Sequence, residues 1–210
     1  MLIKVIAISL LIILLPILIL IALIIFIQTL ESPIFVQERG LTLSKYRFRI
    51  YKFRTMPHTN LTQTFNNTFY RSIEKYGLFT FGRFLRKTGL DELPQLLNII
   101  KGEMNMVGPR PLDLRDLTNL KDRFNKYNQV REKLDLLPGV TGYWQVYKNE
   151  KMSIQNLIEL DDYYKENKSL KLDIKIICKS FLILLKAKHK DSIIISNNNF
   201  VKSDFLVECL

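Results

Sequence analysis

The chain begins with a long apolar segment. No charged residue lies between Val5 and Leu30, and most of these positions are Leu, Ile, Val, Ala or Phe. As a straight helix the segment would extend about 39 Å, which exceeds the bilayer hydrocarbon thickness of about 30 Å. It is also longer than the apolar stretch of a signal peptide, and residues 28–33 offer no clear cleavage site. We therefore expect residues 1–30 to form a membrane helix that stays on the protein.

Pro16 interrupts this apolar pattern near its middle. Proline removes a backbone donor and clashes with the preceding turn, so a kink is expected there. Two arrangements fit the pattern: a spanning helix with a kink, and a broken helix that enters and leaves the membrane on one face. Transmembrane helices tolerate proline, so the pattern itself favours neither arrangement.

Beyond Pro33 the pattern predicts an α-rich α+β domain. Residues 34–37 and 46–54 predict two short strands that pair as a hairpin around residues 38–40. Residues 57–76 are polar and predict a variable loop with at most one helix. Helical patterns then follow at 79–87, 90–100, 113–133 and 170–188, and a loop is expected at 137–145. We expect residues 31–191 to form one domain and 192–210 a loosely ordered tail.

Two of the helical patterns carry features that bear on function. In the helix at 90–100, Asp91 and Glu92 fill the first turn behind a cap at Thr88 or Gly89, and Leu93, Leu96, Leu97 and Ile100 share one face. Acidic residues in a first turn are usually favourable partners of the helix dipole. In the helix at 170–188, lysines recur at every fourth position among Leu and Ile. Such a helix can lie in a membrane interface or pack on the core, and periodicity does not choose between them.

The net charge limits the classes of binding partner but does not select one of them. Lys4 is the one charged residue among the first 30, so nearly all of the net charge of +11 belongs to the rest of the chain. This excess attracts nucleic acid, phospholipid headgroups or phosphorylated substrates. Lys52 and Arg54 would share a strand face because the side-chain period is two. Cys178 and Cys209 form no CxxC motif, so we expect neither a disulfide framework nor a zinc site. This cysteine usage is consistent with a reducing cytosol.

Many spaced motifs resemble one family, the bacterial sugar transferases, which are polyprenol-phosphate phosphoglycosyl transferases of the monotopic type. The chain reads LDELPQL at residues 90–96 and VGPRP at 107–111. The other matching segments are residues 37–39, 51–56, 82–86, 98, 101–104, 138–142, 145, 160–161, 163–164 and 172–176. Each motif alone is weak, whereas their order along nearly the whole chain is specific.

The resemblance implies a reaction with a covalent intermediate. Asp91 would attack the β-phosphate of a UDP-sugar and release UMP, and the phosphosugar would then pass to polyprenyl (undecaprenyl) phosphate, which starts the assembly of a glycan. A carboxylate can serve as such a nucleophile. Because both substrates are anionic, Mg²⁺ held by Asp91 and Glu92 is expected. Glu92 would act as metal partner or as base for the incoming phosphate.

The same resemblance assigns further site residues. Lys52, Arg86 and Arg110 occupy functional basic positions, and Arg54 lies beside Lys52 in the same motif. Lys52 and Arg110 are expected to contact phosphate or carboxylate, whereas a structural ion pair is an equal alternative for Arg86. Gly142 and Gln145 would lie near the nucleotide-sugar. Asp161 and Tyr164 are expected to support the fold.

Two positions depart from the family pattern. Leu15 stands where the family has a serine before the helix-breaking proline. After Gln145 the family has an Asn-Gly-Arg-Asn stretch, whereas this chain reads Tyr147-Lys148-Asn149-Glu150. Lys148 or Lys151 could replace the missing arginine, although lysine lacks the bidentate fork.

The resemblance also implies a location, and two other function classes compete with it. A re-entrant N-terminal helix would keep the site on the cytoplasmic face of the bacterial inner membrane, which agrees with the basic domain. The first alternative is a catalytically impaired membrane-bound assembly subunit with the same fold. The second is a membrane-anchored nucleic-acid binder, and no nucleic-acid motif supports it. We expect lipid, the UDP-sugar and polyprenyl phosphate as partners, and no nucleic acid.

Overall fold

The computed structural model describes residues 2–56, 79–148 and 154–186. The helices are α1 Leu2–Thr29, α2 Thr80–Thr88, a 3₁₀ helix Leu90–Gln95, α3 Leu96–Lys101, α4 Leu114–Arg123, α5 Asn125–Glu132, α6 Tyr143–Tyr147, α7 Ile154–Asn167 and α8 Leu170–Leu185. The strands are β1 Ile34–Gly40, β2 Phe48–Phe53, β3 Asn105–Val107, β4 Leu112–Asp113 and β5 Gly139–Thr141. This confirms the helix-rich α+β class. The predicted loop at 57–76 and the predicted tail at 192–210 lie outside the described residues.

Helix α1 continues through Pro16 as one helix. In the described part of the chain it is the one helix that is long and apolar enough to cross a bilayer. The helix assignment does not decide between the two arrangements expected at Pro16, the kinked spanning helix and the re-entrant one. The path of this helix through a membrane stays a prediction.

One side of α1 packs on the rest of the protein along most of its length. Near the start of the helix, Ala7 is fully buried in a cluster with Phe48, Ile50, Leu96, Ile99 and Met104. Further along, Leu18, Ile21 and Ile25 pack with Phe53 and Leu85. At 1.5 Å per residue, Ala7 and Ile25 are about 27 Å apart along the helix axis. One side of the helix therefore forms part of the domain core over that distance.

Two small sheets organise the segments that follow. Strand β1 lies between β2 and β4 and is antiparallel to both. The predicted hairpin is confirmed, but Arg39 pairs with Phe48, so the connection is at 41–47 and not around 38–40. In the second sheet β3 and β5 are parallel. The segment 137–145, expected to be a loop, contains β5 and the start of α6, because its backbone pairs with β3.

The helix predicted at 90–100 is divided. Gly89 ends α2 in the left-handed region with φ of 67°, and a 3₁₀ helix that contains Pro94 precedes α3. Proline has no N–H for a helical bond, and 3₁₀ turns are frequent at helix ends. The predicted apolar face is partly wrong: Leu96 and Ile99 are buried, whereas Leu97 is 39% exposed. The helix predicted at 113–133 is likewise two helices, separated at Phe124, whose φ of −132° is not helical.

Helix α8 presents most of its apolar side chains to the outside. Ile176 is its one fully buried residue. Its exposed large apolar side chains are Leu170, Ile174, Ile177, Phe181, Leu182 and Leu185. Large exposed apolar patches are uncommon on monomeric soluble proteins and are typical of protein–protein or membrane interaction sites.

Candidate active site

Asp91 and Glu92 lie in the first turn of the 3₁₀ helix, directly after the turn at Gly89 that ends α2. The turn is sharp because Gly89 adopts a positive φ, which glycine reaches without strain. The backbone N–H of Glu92 donates to the Gly89 carbonyl at 3.1 Å. Asp91 is only 7% exposed, so its carboxylate lies within the domain surface and not on a fully solvated turn. A shielded carboxylate of this kind differs from an ordinary dipole partner.

Lys52 joins the dyad to the sheet. It lies on β2, and its Nζ forms an ion pair with Glu92 Oε1, with both side chains about six-sevenths buried at 14% and 13% exposure. Two predicted site residues that are 40 positions apart in the chain are therefore in direct contact. Since ion pairs strengthen where water is reduced, this pair holds the dyad firmly on β2.

Asn98 is a residue of this region that the sequence reasoning did not assign. It is fully buried, and its Nδ2 donates to the Arg49 carbonyl and to Glu103 Oε2, both at 2.7 Å. Its Oδ1 accepts from the backbone N–H of Tyr51 at 3.2 Å. One side chain on α3 thus bonds the backbone of β2 on the edge that β1 does not cover. The sequence signals were its place among the segments that match the family and an amide among apolar residues of a short helix.

The two arginines predicted near Lys52 have protein partners. Arg54 Nη1 lies 3.0 Å from Glu31 Oε2, and its Nε donates to the Ser32 carbonyl at 2.7 Å. Arg86 Nε donates to Thr55 Oγ1 at 2.8 Å. Arg54 is therefore tied to the two residues Glu31 and Ser32 that follow α1, and Arg86 joins α2 to the residue after Arg54. This contact is a hydrogen bond to a hydroxyl and not an ion pair, so both alternatives for Arg86, a substrate contact and a structural ion pair, stay predictions.

Arg110 and Lys148 meet around a tryptophan. The Arg110 guanidinium carbon is 5.2 Å from the centroid of the Trp144 ring, and Lys148 Nζ is 4.5 Å from it. Trp144 is fully buried, and Arg110 is 6% exposed. An indole face attracts cations, most strongly where water is excluded. Two side chains expected to bind phosphate thus both contact Trp144, to which the sequence analysis assigned no role.

Gly142 and Gln145 lie at the start of α6, next to the β3–β5 sheet. A Cβ on Gly142 would be 2.2 Å from the Gly108 carbonyl oxygen and 2.8 Å from Gln145 Oε1. The backbone at Gly108 can approach this closely only because residue 142 has no side chain. Gly142 therefore has a packing reason to be glycine, and it places Gln145 beside the Gly108 to Pro111 segment.

A divalent cation fits the dyad chemically. Mg²⁺ is usually held through one or two carboxylates together with substrate phosphates, and keeps several waters. Asp91 and Glu92 supply two such carboxylates. Among residues 2–56, 79–148 and 154–186 there is no group of three or more His, Cys, Asp or Glu side chains that could hold a metal by themselves. The donor set suits an ion shared with a phosphorylated substrate better than a permanent protein cage.

Comparison with known proteins identifies the class. The family model for bacterial sugar transferases matches residues 2–187, so the chain belongs to the bacterial sugar transferase family. The match covers α1, the dyad, the Arg110 segment and α8 together. The resemblance noted from the separate motifs is confirmed, and with it the membership of a transferase family.

Individual relatives agree with the family. The uncharacterized sugar transferase EpsL of Bacillus subtilis is 36% identical over 147 residues, which are 70% of this chain and 67% of EpsL. The undecaprenyl-phosphate galactose phosphotransferase of Salmonella typhimurium is 39% identical over 105 residues, 50% of this chain and 21% of that protein. The UDP-glucose:undecaprenyl-phosphate glucose-1-phosphate transferase of Xanthomonas campestris is 34% identical over 152 residues, 70% of this chain and 30% of that protein. The chain thus spans two thirds of EpsL and less than a third of the other two.

Proposed function

We propose that the protein transfers a sugar phosphate from a UDP-sugar to polyprenyl phosphate, with Asp91 carrying the phosphosugar between the two. The dyad carries this proposal: a shielded Asp91 adjoins Glu92, which is paired with Lys52. Relatives named for undecaprenyl phosphate and for UDP-glucose support the choice of substrates. Which sugar is transferred is the question that a donor panel answers.

The proposed chemistry consists of two displacements at one phosphorus atom. An Asp91 carboxylate oxygen attacks the β-phosphorus of the donor, and the bond to the bridging oxygen breaks with release of UMP. An oxygen of polyprenyl phosphate then attacks the same phosphorus, and the Asp91 carboxylate leaves. A covalent carboxylate intermediate divides one difficult displacement into two easier ones. The product is a polyprenyl-diphosphate sugar, the starting point for a capsule, an exopolysaccharide, an O-antigen or a glycoprotein.

The anionic substrates need positive charge around the dyad. Asp91 and Glu92 would hold Mg²⁺, which neutralises charge on the diphosphate when it is bound. Lys52 already lies against Glu92, and Arg86 adds a positive charge on α2. Arg54, two residues after Lys52, has its charge balanced by Glu31. Glu92 serves either as metal partner or as base for the incoming phosphate.

We assign binding of the nucleotide-sugar to the second group of residues. Arg110 and Lys148 face Trp144, and Gln145 follows Gly142 on the same short helix. Lys148 stands where the family has an arginine nearby, so it can supply charge without the bidentate geometry of a guanidinium. This substitution is also the observation that favours the second candidate function, a membrane-bound assembly subunit with little or no turnover.

We propose that the protein lies in the cytoplasmic leaflet of the inner membrane with α1 as a re-entrant helix. A helix that stood upright with its domain outside the bilayer would not contact that domain over about 27 Å of its length, as α1 does. The side of α1 that faces away from the domain and the apolar side chains of α8 are both exposed, and both suit a lipid phase. Cysteines placed at residue 2 and within residues 57–76 test this: labelling from the same side supports re-entry, and labelling from opposite sides contradicts it.

The decisive experiment measures UMP and the intermediate separately. Purified protein receives a panel of UDP-sugars with Mg²⁺ and no acceptor, and intact-protein mass spectrometry follows the adduct. We expect one donor to give a burst of UMP and a protein heavier by one phosphosugar, which polyprenyl phosphate then discharges. Asp91→Asn should give neither, whereas the exposed Asp122→Asn should match the wild type. If the wild type releases no more UMP than Asp91→Asn with every donor, the assembly-subunit function replaces the proposal.

A further inference from the structure

A fully buried ion pair lies behind Arg110. Arg131 on α5 is 0% exposed, Asp161 on α7 is 1% exposed, and Arg131 Nη1 is 2.9 Å from Asp161 Oδ2. Burying two charges is costly, and replacing such a pair with apolar residues is often neutral or stabilising. A contribution to stability therefore does not by itself explain why this ion pair is present.

The other hydrogen bonds of Arg131 indicate a different role for the pair. Arg131 Nη2 donates to the Arg110 carbonyl at 2.7 Å, and its Nε donates to the Leu41 carbonyl at 2.9 Å. Burial raises the pKa of Asp161 to about 7, and the Arg131 guanidinium and the backbone N–H of Arg110 both act to lower it. The Arg110 carbonyl is thus held by Arg131, and Arg131 is in turn held by Asp161.

Covalent structure restrains the same residue. Arg110 lies between Pro109 and Pro111. A residue before proline is confined to extended backbone conformations, and the preceding proline fixes its own φ. With its backbone fixed in this way, the side chain of Arg110 leaves the chain in one direction, and its guanidinium lies over the Trp144 ring.

We propose that Arg131 and Asp161 are positioning residues for the transfer reaction, which hold the backbone of Arg110 so that its guanidinium stays aimed from the Trp144 face at the donor phosphates. This inference rests on the proposed function, because it takes Arg110 as a group that binds substrate. It assigns a role to two residues that are 30 positions apart in the chain. Neither of them has to contact the substrate for this role.

The test removes the ion pair without leaving a buried charge. In Arg131→Met/Asp161→Leu both partners become apolar residues of similar reach, so no buried charge remains. The Leu41 and Arg110 carbonyls lose their donor, so the domain should stay folded with a lower melting temperature. Transfer should fall about 10- to 100-fold, since small misplacements of a substrate-binding group have effects of that order. Arg110→Ala should cause a loss of similar size, and adding it to the double variant should lower transfer no further.

A spectroscopic readout separates this inference from the proposed function. Trp144 is the only tryptophan of the chain, so its emission reports the position of the Arg110 guanidinium. The double variant and Arg110→Ala should change the Trp144 spectrum in the same way, whether or not the protein shows turnover. Asn128→Ala is the matched control, because Asn128 is buried on α5 and bonds only Glu132 among the described side chains. It should leave the spectrum unchanged.

Either of two results would overturn the inference. One is a folded double variant with wild-type transfer and wild-type emission. The other is a loss that multiplies with that of Arg110→Ala, which would show that the pair acts elsewhere. If the double variant does not fold, Arg131→Lys takes its place in the same cycle: lysine can pair with Asp161 but cannot also reach the Leu41 and Arg110 carbonyls. Failure of the proposed function is distinct, since it appears as absent UMP release in the wild type itself.

Discussion

The side chain of Asn98 accepts a hydrogen bond from the backbone of Tyr51 at 3.2 Å and so completes the edge of β2 beside Lys52. Asn98→Leu should remove this bond together with those to Arg49 and Glu103, at similar side-chain volume. Leaving these groups without the amide should lower the free energy of unfolding by about 2 kcal/mol. Because β2 carries Lys52, transfer should fall by more than the folded fraction explains. Thermal unfolding and UMP release, measured on the same samples, provide the check, and unchanged values for both would contradict it.

The Lys52–Glu92 pair should behave as a shielded ion pair. Lys52→Met removes the cation facing a carboxylate that is only 13% exposed, so a loss of stability of about 1–3 kcal/mol is expected. Lys52→Met/Glu92→Gln should recover most of that stability without recovering transfer. The exposed Arg47–Glu38 pair, with side chains 46% and 42% exposed, is the matched control, and breaking it should change stability by less than about 1 kcal/mol. Equal effects for the two pairs would show that shielding does not matter here.

Gly142 should tolerate no side chain. Gly142→Ala places a Cβ 2.2 Å from a backbone oxygen of Gly108, so the β3–β5 sheet and α6 must separate. A destabilisation of about 1–3 kcal/mol is expected from such overpacking. Gly40→Ala is the control, since its nearest neighbour would be 3.0 Å away. Chemical denaturation compares the two, and a smaller loss for Gly142→Ala than for Gly40→Ala would contradict the packing argument.

Asp116 should make stability depend on pH. Burial, followed by the Asp113 carboxylate, raises the pKa of Asp116 to about 6, against the lowering effect of Arg39 and other arginines. Because the folded state binds this proton more tightly than the unfolded state, the contribution of Asp116 is complete below about pH 4 and is lost as the pH rises through about 6. Asp116→Asn should therefore be more stable than the wild type at pH 7, on the order of 1 kcal/mol. The two proteins should converge at pH 4.

Denaturation series at pH 4, 5, 6 and 7 would test this dependence. Asp122→Asn, on the exposed side of the same helix α4, should run parallel to the wild type at every pH. A constant difference between Asp116→Asn and the wild type across the range would show that Asp116 does not take up a proton on folding.

Local patterns predicted much of this fold and of its site. The hairpin, helix α2 and the start of α8 follow from periodicities within a few residues, and the family motifs located Asp91 and Glu92. The break at Phe124 was not predicted, because nothing in the neighbouring residues competes with a helix. The 3₁₀ turn that contains Pro94 was not predicted either, because proline is tolerated in the first turn of an α-helix.

The contacts of the residues that support the site could not be predicted from the sequence, for a different reason. Asn98 contacts backbone 47 and 49 positions away, and Arg131 contacts residues 21, 30 and 90 positions away. On a charged helix, Arg131 looks like one more solvated cation. Its burial is decided by where α7 and the residues after β1 pack, and no local pattern encodes that.

Helix α1 has a consequence for how the protein is made. Translation produces this helix before β2, α2 and α3 exist, yet its Ala7 and Ile25 become fully buried among them. One side of α1 therefore lacks its protein neighbours until β2, α2 and α3 emerge and cover it. The domain can complete its core only against this helix, so in the membrane arrangement proposed above its maturation is tied to insertion of its own N-terminal segment.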